Sequence, residues 1–306
     1  MSEALPGDRL RPHVKAHKCS ELARLQANQG HRGFTCATTR EMVGLAGASL
    51  GHDLLLANES VDPVRLAELA RLNARVTVAV DSLATIEAAA AAGISEVLID
   101  VNVGLPRCGC DPALAGSLAE KARHRGLGVR GVMGYEGHVV GDADRLRREE
   151  GCGASMEILR VAHQAVGGDV VSAGGTGTFD CNALATEIQA GSYALMDSAY
   201  AKLDLPFAQA LFIEATVISV GNDYAVADCG LKALGMDHGL PTIADARVLF
   251  CSDEHVTFVS QQPLRVGDRV RVEPAHCDPT VAYHERIFCI EGETVVDSWD
   301  VDLRGW

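Results

Sequence analysis

Short apolar and β-branched runs alternate along the first two-thirds of the chain with alanine-rich stretches whose apolar positions recur every three to four residues. The runs predict strands over Pro12–His17, Gly33–Cys36, Asp53–Ala57, Ala74–Asp81, Glu96–Val101, Gly128–Gly134, Asp169–Gly174 and Thr186–Met196. The stretches between them predict helices over Ser20–Asn28, Thr39–Ala48, Pro63–Leu72, Leu83–Ala92, Pro112–Arg125 and Ala154–Val166. Strand–helix alternation on this spacing implies right-handed βαβ units and a parallel sheet. Eight runs favour closure into a (β/α)8 barrel over residues 1–200, with an open doubly wound sheet as the alternative.

Beyond Tyr200 the texture changes. β-branched and polar residues alternate in Ala215–Val220, Tyr224–Asp228, Ala246–Phe250, Val256–Val259, Asp268–Glu273 and Arg286–Glu291, broken by Gly221-Asn222, Gly239–Pro241 and Gly292. That pattern predicts an antiparallel β domain over residues 201–306. No helix-like stretch follows the eighth run, and only about ten residues precede the first. A barrel with one face uncovered is therefore expected to expose an apolar groove around Val14 and Ile188.

Composition narrows the functional classes. A chain of 306 residues that is 47% hydrophobic can bury a substantial core. A formal charge of −14 argues against nucleic acid or anionic membrane as the main partner. The N-terminus carries no signal-like apolar segment, and ten cysteines sit mostly inside apolar runs, so a cytoplasmic protein is expected. Cys108 and Cys110 form a C-x-C that is an isolated, weak metal motif.

The candidate chemistry lies in a few segments. Lys15 stands in RPHVKAHK, where a strand would place His13, Lys15 and His17 on one face. Cationic neighbours disfavour a charged amine, which suits Schiff-base chemistry; the alternative is a solvated basic stretch, and Lys18 is expected to be solvated. Ser172–Thr178, with Gly174, Gly175, Thr176 and Gly177, ends a strand with three glycines and two threonines. Such a loop lets backbone N–H groups converge on an anion, and a following helix N-terminus would add its dipole. Gln189–Tyr193, with Gly191, Ser192 and Tyr193, is a second candidate for the same phosphate cup. Arg107 in VNVGLPRCG is a candidate cofactor contact, as is Tyr135 in GYEGH, with His138 a candidate proton carrier. His276 and Asp278, two apart in an expected extended segment, would converge on Mn²⁺, Mg²⁺ or Zn²⁺ while Cys277 faces away. His255, Asp228 and His238 are weaker polar candidates.

Taken in order, RPHVKAHK, VNVGLPRCG, GYEGH, SAGGTGT, EIQAGSYALMD, ADCGLKALGMDHGLP and AHCDPTV resemble the D-threonine aldolase and D-serine dehydratase family. These are fold-type III pyridoxal-phosphate enzymes with an alanine-racemase-like barrel, and the resemblance runs from Arg11 to about Glu291. It implies that Lys15 carries pyridoxal 5′-phosphate, that Arg107 and Tyr135 contact it, and that both glycine-rich loops hold its phosphate. It also implies a divalent metal on His276 and Asp278. Aldolase-like members carry His-x-Asp where D-serine dehydratases typically carry His-x-Cys, so the resemblance implies an aldolase, a carbon–carbon lyase acting on D-3-hydroxy amino acids such as D-threonine. D-serine or D-3-hydroxyaspartate dehydration is the alternative, and a non-catalytic pyridoxal-phosphate carrier is an alternative of another class, though carriers lack a large second domain and a metal pair. The enzyme is expected to be a homodimer with a small-molecule substrate. The resemblance also implies a strand and helix before the lysine strand, most of which is expected to be missing from this sequence.

Overall fold

The computed structural model describes residues 1–305. It divides into two compact units, one formed by Met1–Gly191 with the C-terminal tail from Asp302, the other by Ser192–Val301.

The first unit is built on a seven-stranded parallel sheet in sequential order. Its strands are β1 (Gly33–Cys36), β2 (Asp53–Leu56), β3 (Val76–Val80), β4 (Glu96–Asp100), β5 (Gly128–Gly134), β6 (Val170–Ala173) and β7 (Glu187–Ile188). β1 and β3 are buried along their whole length, as expected of strands covered on both faces. Helices α1 (Ser20–Asn28), α2 (Thr39–Gly47), α3 (Pro63–Leu69), α4 (Leu83–Ala92), α5 (Ala115–His124) and α6 (Arg145–Val166) alternate with them. Local chemistry sets several ends: a capping box joins Thr38 and Glu41 at α2, Ser82 caps α4, and Gly93 ends α4 in the left-handed conformation.

The predicted strand Pro12–His17 is not one. Residues 10–13 run extended between β7 and β1, bridging Ile188 at Leu10 and Thr35 at His13 in parallel sense. Val14–Ala16 then tightens into a 3-10 turn. The predicted strand Thr186–Met196 shortens to two residues before a 3-10 turn at Ser192–Ala194. The expected groove at Val14 and Ile188 is not there either, since both side chains are fully buried. The 3-10 turn Gly7–Arg9 packs against β7, and Leu5 and Leu10 are buried beside it. The helix predicted over Ala154–Val166 begins nine residues earlier, at Arg145, where Asp144 caps it through the amides of Leu146 and Arg147. Gly151 and Gly153 hide this first half from a propensity reading. At Gly151 a Cβ would stand 2.6 Å from Val139, so close packing demands the glycine.

At the N-terminal ends of the strands lies a charged network. Asp53 opens β2 and accepts two hydrogen bonds from Arg130 of β5, at 2.8 and 2.9 Å, and one from Arg11 at 3.0 Å. Arg11 also pairs with Glu187 at 2.8 Å, tying the irregular segment to β7 as well as β2. Burial by itself would raise the Asp53 pKa. The Arg130 hydrogen bonds and the Arg11 charge outweigh it and hold the pKa at about 2.

The tail completes this unit. Asp302 caps α1 through the amide of Ser20, and the amide of Leu303 donates to the carbonyl of Lys18. Lys18 has a left-handed φ of 45° and its amine pairs with the buried carboxylate of Glu41, so it is not the solvated residue the sequence suggested.

The second unit is antiparallel. β8 (Ile213–Val220), β9 (Ala225–Ala227), β10 (Thr242–Ile243), β11 (Ala246–Cys251), β12 (Val256–Ser260) and β13 (Arg269–Glu273) form a six-stranded sheet, order β10-β13-β8-β9-β12-β11. Val217, Ala227, Val256, Phe258 and Val272 fill its core. The short helix α7 (Cys277–Tyr283) follows, then the hairpin β14 (Arg286–Glu291) and β15 (Thr294–Asp300). β10 and β15 were not legible in sequence: the first is two residues long, and the second is exposed along nearly its whole length, so no apolar alternation marks it.

Candidate active site

Parallel pairing places the C-terminal ends of all seven strands at one end of the first unit, so the loops that follow them meet there. Arg107 lies in the loop after β4, Tyr135 and His138 follow β5, Ser172–Thr178 spans the end of β6 and the loop beyond, and Gly191 follows β7.

Lys15 sits within the 3-10 turn. Imidazoles flank that turn: Nδ1 of His13 accepts from the Lys15 amide at 3.5 Å, and beyond the turn Nδ1 of fully buried His17 accepts from the Cys19 amide at 3.2 Å. His13 and His17 thus act on the backbone that presents Lys15 rather than as same-face strand neighbours. The loop after β7 is pressed onto the same segment, since a Cβ at Gly191 would lie 2.5 Å from the His13 carbonyl oxygen.

The first glycine loop is buried throughout residues 172–178. Gly174 has a φ of 81°, and a Cβ at Gly177 would fall 1.8 Å from the Val140 carbonyl oxygen, so neither position readily takes a side chain. Turns rather than a helix follow the loop, so the expected helix dipole is not available to it. Its organiser is Glu136, a fully buried carboxylate that sequence reading passed over in GYEGH. Glu136 accepts from the Thr178 hydroxyl at 2.7 Å, the Gly174 amide at 3.2 Å and the Asn182 amide at 3.4 Å. From the other side, buried Arg148 donates through Nε to the Gly177 carbonyl at 3.0 Å. Ser172 accepts from the Gln189 side chain at 2.8 Å, linking β6 to the loop after β7.

Tyr135 joins the parts. Its ring would contact a Cβ on Gly175 at 3.5 Å, and the Arg107 guanidinium stands 5.3 Å from the ring centroid. His138 is exposed and lies against Gly104 of the Arg107 loop, where a Cβ would meet its ring at 2.7 Å. Behind Arg107, the Asp100 carboxyl is hydrogen-bonded to Glu59, and burial followed by the Glu59 charge pushes its pKa well above the usual carboxylate range. The hydrogen bond to Glu59 pushes the Cys108 thiol up to about 12, and burial does the same for Cys110.

In the second unit, Ser192 is buried at the head of its 3-10 turn and the Tyr193 ring lies 5.9 Å from Phe207. His276 and Asp278 do not share an extended strand: His276 is the N-cap of α7 and Asp278 lies in its first turn. They converge nonetheless, with Nε2 of His276 3.6 Å from Oδ2 of Asp278. Cys277 is not turned wholly away, for its sulfur lies 3.3 Å from the Asp278 carboxylate while its amide donates to Asp197 at 2.9 Å. Nδ1 of His276 is 2.7 Å from Oδ2 of Asp237, and the His238 ring stacks on that of His276 at 3.9 Å. Asp237, His238 and His276 offer ligand atoms that all lie within 4.8 Å of one another. Of the weaker candidates, Asp228 accepts from the Thr216 amide, a structural role, and His255 is an exposed residue just before β12.

Residues 1–199 match the alanine racemase N-terminal domain family, and residues 210–290 match the putative serine dehydratase domain. A D-threonine aldolase from an Arthrobacter species is 34% identical over 97% of this chain and 86% of its own length. A 3-hydroxy-D-aspartate aldolase from Paracoccus denitrificans is 32% identical over 98% of this chain and 86% of its own. The solved D-threonine aldolase of Filomicrobium marinum matches with a TM-score of 0.91 at 31% identity, covering 97% of this chain and 88% of that one. The chain belongs to the alanine-racemase-like, fold-type III pyridoxal-phosphate family, within its D-threonine aldolase and D-serine dehydratase branch, and is a D-threonine aldolase-like lyase. Among the described residues, no helix is long and apolar enough to cross a membrane.

Proposed function

We propose that this chain is a pyridoxal-phosphate- and divalent-metal-dependent aldolase that cleaves D-3-hydroxy amino acids, D-threonine giving glycine and acetaldehyde. The observation that carries the reading is the approach of the Asp278 carboxylate to Nε2 of His276 at 3.6 Å. A carboxylate oxygen and an imidazole nitrogen so placed fit a hard or borderline divalent cation. The donor set of the first unit suits the organic cofactor: an amine at Lys15, a glycine loop packed too closely at Gly177 to take a Cβ, an aromatic ring at Tyr135 and a guanidinium at Arg107.

Pyridoxal phosphate bound there supplies an electron sink for the pair released when Cα–Cβ breaks, and a divalent ion on His276 and Asp278 supplies a Lewis acid for the 3-hydroxyl. The chain's own residues do the rest. Lys15 holds the cofactor covalently, and the loops at 174–177 and 191–193 receive its phosphate. Tyr135 and Arg107 fix the ring, and His138 accepts the hydroxyl proton. Glu136 keeps the first loop preformed, so Glu136→Ala is expected to weaken cofactor retention by on the order of 10-fold, a loss of about 1.4 kcal/mol. Titration of the apoenzyme with pyridoxal phosphate measures this, and an unchanged affinity would deny Glu136 that role. The working enzyme in this reading is a cytoplasmic homodimer.

Product analysis with D-threonine is the test. Glycine and acetaldehyde in equal amounts are expected, and chelator should abolish turnover while leaving the cofactor absorbance in place. Release of a 2-oxo acid with ammonia would make the chain a dehydratase, and full activity in chelator would remove the metal from the mechanism.

A further inference from the structure

The hydrogen bond between His276 and Asp237 has no part in the aldolase chemistry itself, yet it decides which nitrogen of His276 can bind a cation. A carboxylate oxygen 2.7 Å from an imidazole nitrogen requires a proton between them, because two lone pairs at that distance repel. In the neutral ring that proton occupies Nδ1 and leaves the lone pair on Nε2. Nε2 is the nitrogen that faces Oδ2 of Asp278 at 3.6 Å. These two atoms are close enough for one divalent ion to be held by both. The His238 ring lies parallel to His276 within 7°, which blocks rotation of the ring out of this pose.

We propose that Asp237 is a positioning residue for the metal site, holding His276 in the tautomer that protonates Nδ1 and presents Nε2 beside Asp278. The inference rests on the reading that His276 and Asp278 bind the metal. A carboxylate on the far nitrogen raises the donor strength of the near one and fixes the plane of the ring. The 2.7 Å contact also separates this role from direct ligation, since Asp237 could join the coordination sphere only by giving up that hydrogen bond. Asp237 is half exposed, so its replacement removes the hydrogen bond without opening a core cavity.

The test is titration of the full-length, chelator-stripped protein with Mn²⁺ alone, followed by electron paramagnetic resonance, for the wild type and five variants. His276→Ala and Asp278→Ala should each abolish specific binding, and Asp237→Ala should raise the Mn²⁺ dissociation constant by about 10- to 100-fold. Asp237→Asn, whose amide oxygen still accepts from Nδ1–H, should recover most of that loss. Long-range ¹H–¹⁵N correlation should find the proton of His276 on Nδ1 in the wild type and redistributed in Asp237→Ala, at an unchanged melting temperature. Wild-type Mn²⁺ affinity in His276→Ala would sink the metal reading itself. Loss in His276→Ala with wild-type affinity and tautomer in Asp237→Ala would sink only the positioning role. Retention in Asp278→Ala with loss in both Asp237→Asn and His238→Ala would make Asp237 and His238 ligands, and would overturn the proposal in favour of that set.

Discussion

Lys15→Ala is expected to leave a colourless protein whose turnover of D-threonine is reduced by about 10³-fold or more, the scale of losing a group that handles protons at the reacting centre. The expectation follows from placement. Lys15 occupies a turn flanked by His13 and His17, with Gly191 pressed onto the same segment. The neighbouring Lys18 is committed to the buried carboxylate of Glu41, and Lys232 lies exposed between Asp253 and Glu254. Borohydride reduction of the wild type followed by peptide mapping should therefore label Lys15. A label on Lys18 or Lys232, or a yellow Lys15→Ala protein with normal turnover, would refute the assignment.

Asp53→Asn is expected to destabilise the fold more than substitution of the candidate residues Lys15, His276 or Asp278. It strips the shared partner from two arginines, Arg11 and Arg130, whose side chains are only 5% and 12% exposed. Removing one member of a buried ion pair costs up to about 3–5 kcal/mol, and because Arg11 keeps Glu187 at 2.8 Å the cost here is expected at the lower end, about 3 kcal/mol. For a domain of this size that corresponds to a melting temperature lower by on the order of 10 °C. A pH dependence accompanies it. The folded-state pKa of Asp53 is depressed to about 2, below its unfolded value of about 3.9, so its contribution is fully present above pH 4 and is lost as the pH falls towards 2. The loss amounts to about 2–3 kcal/mol. Denaturant unfolding at stepped pH should show this acid-side decline in the wild type and its absence in Asp53→Asn. Identical pH profiles for the two proteins would show that the Arg11–Asp53–Arg130 network contributes little.

The two substitutions act at opposite ends of the same sheet. The charged network sits at the N-terminal ends of the strands and bears on stability, whereas the cofactor candidates follow the C-terminal ends. Arg11 belongs to both arrangements: its guanidinium ties the segment before Lys15 to β2 and β7. Weakening the network is thus expected to loosen the turn that presents the lysine.

Local period carried most of the architecture. β1, β5, α1, α4 and β14 have the limits that alternation and helical spacing implied, because each element's own residues specify its buried face. The family and its lyase chemistry were likewise legible, since they reside in short contiguous motifs. Tertiary structure decided what depends on residues far apart in the chain. Residues 10–13 became a bridged stave rather than a regular strand, because only single pairs form with β7 and β1. The first half of α6 formed through two glycines because a close approach to Val139 needs one of them. Glu136 became the organiser of the glycine loop by accepting from donors 38 to 46 residues away, and Asp237 found His276 across 39 residues. A buried carboxylate must gather its donors from wherever the fold brings them, because an unsatisfied charge in the interior is so costly. No local pattern in the sequence encodes which donors those are.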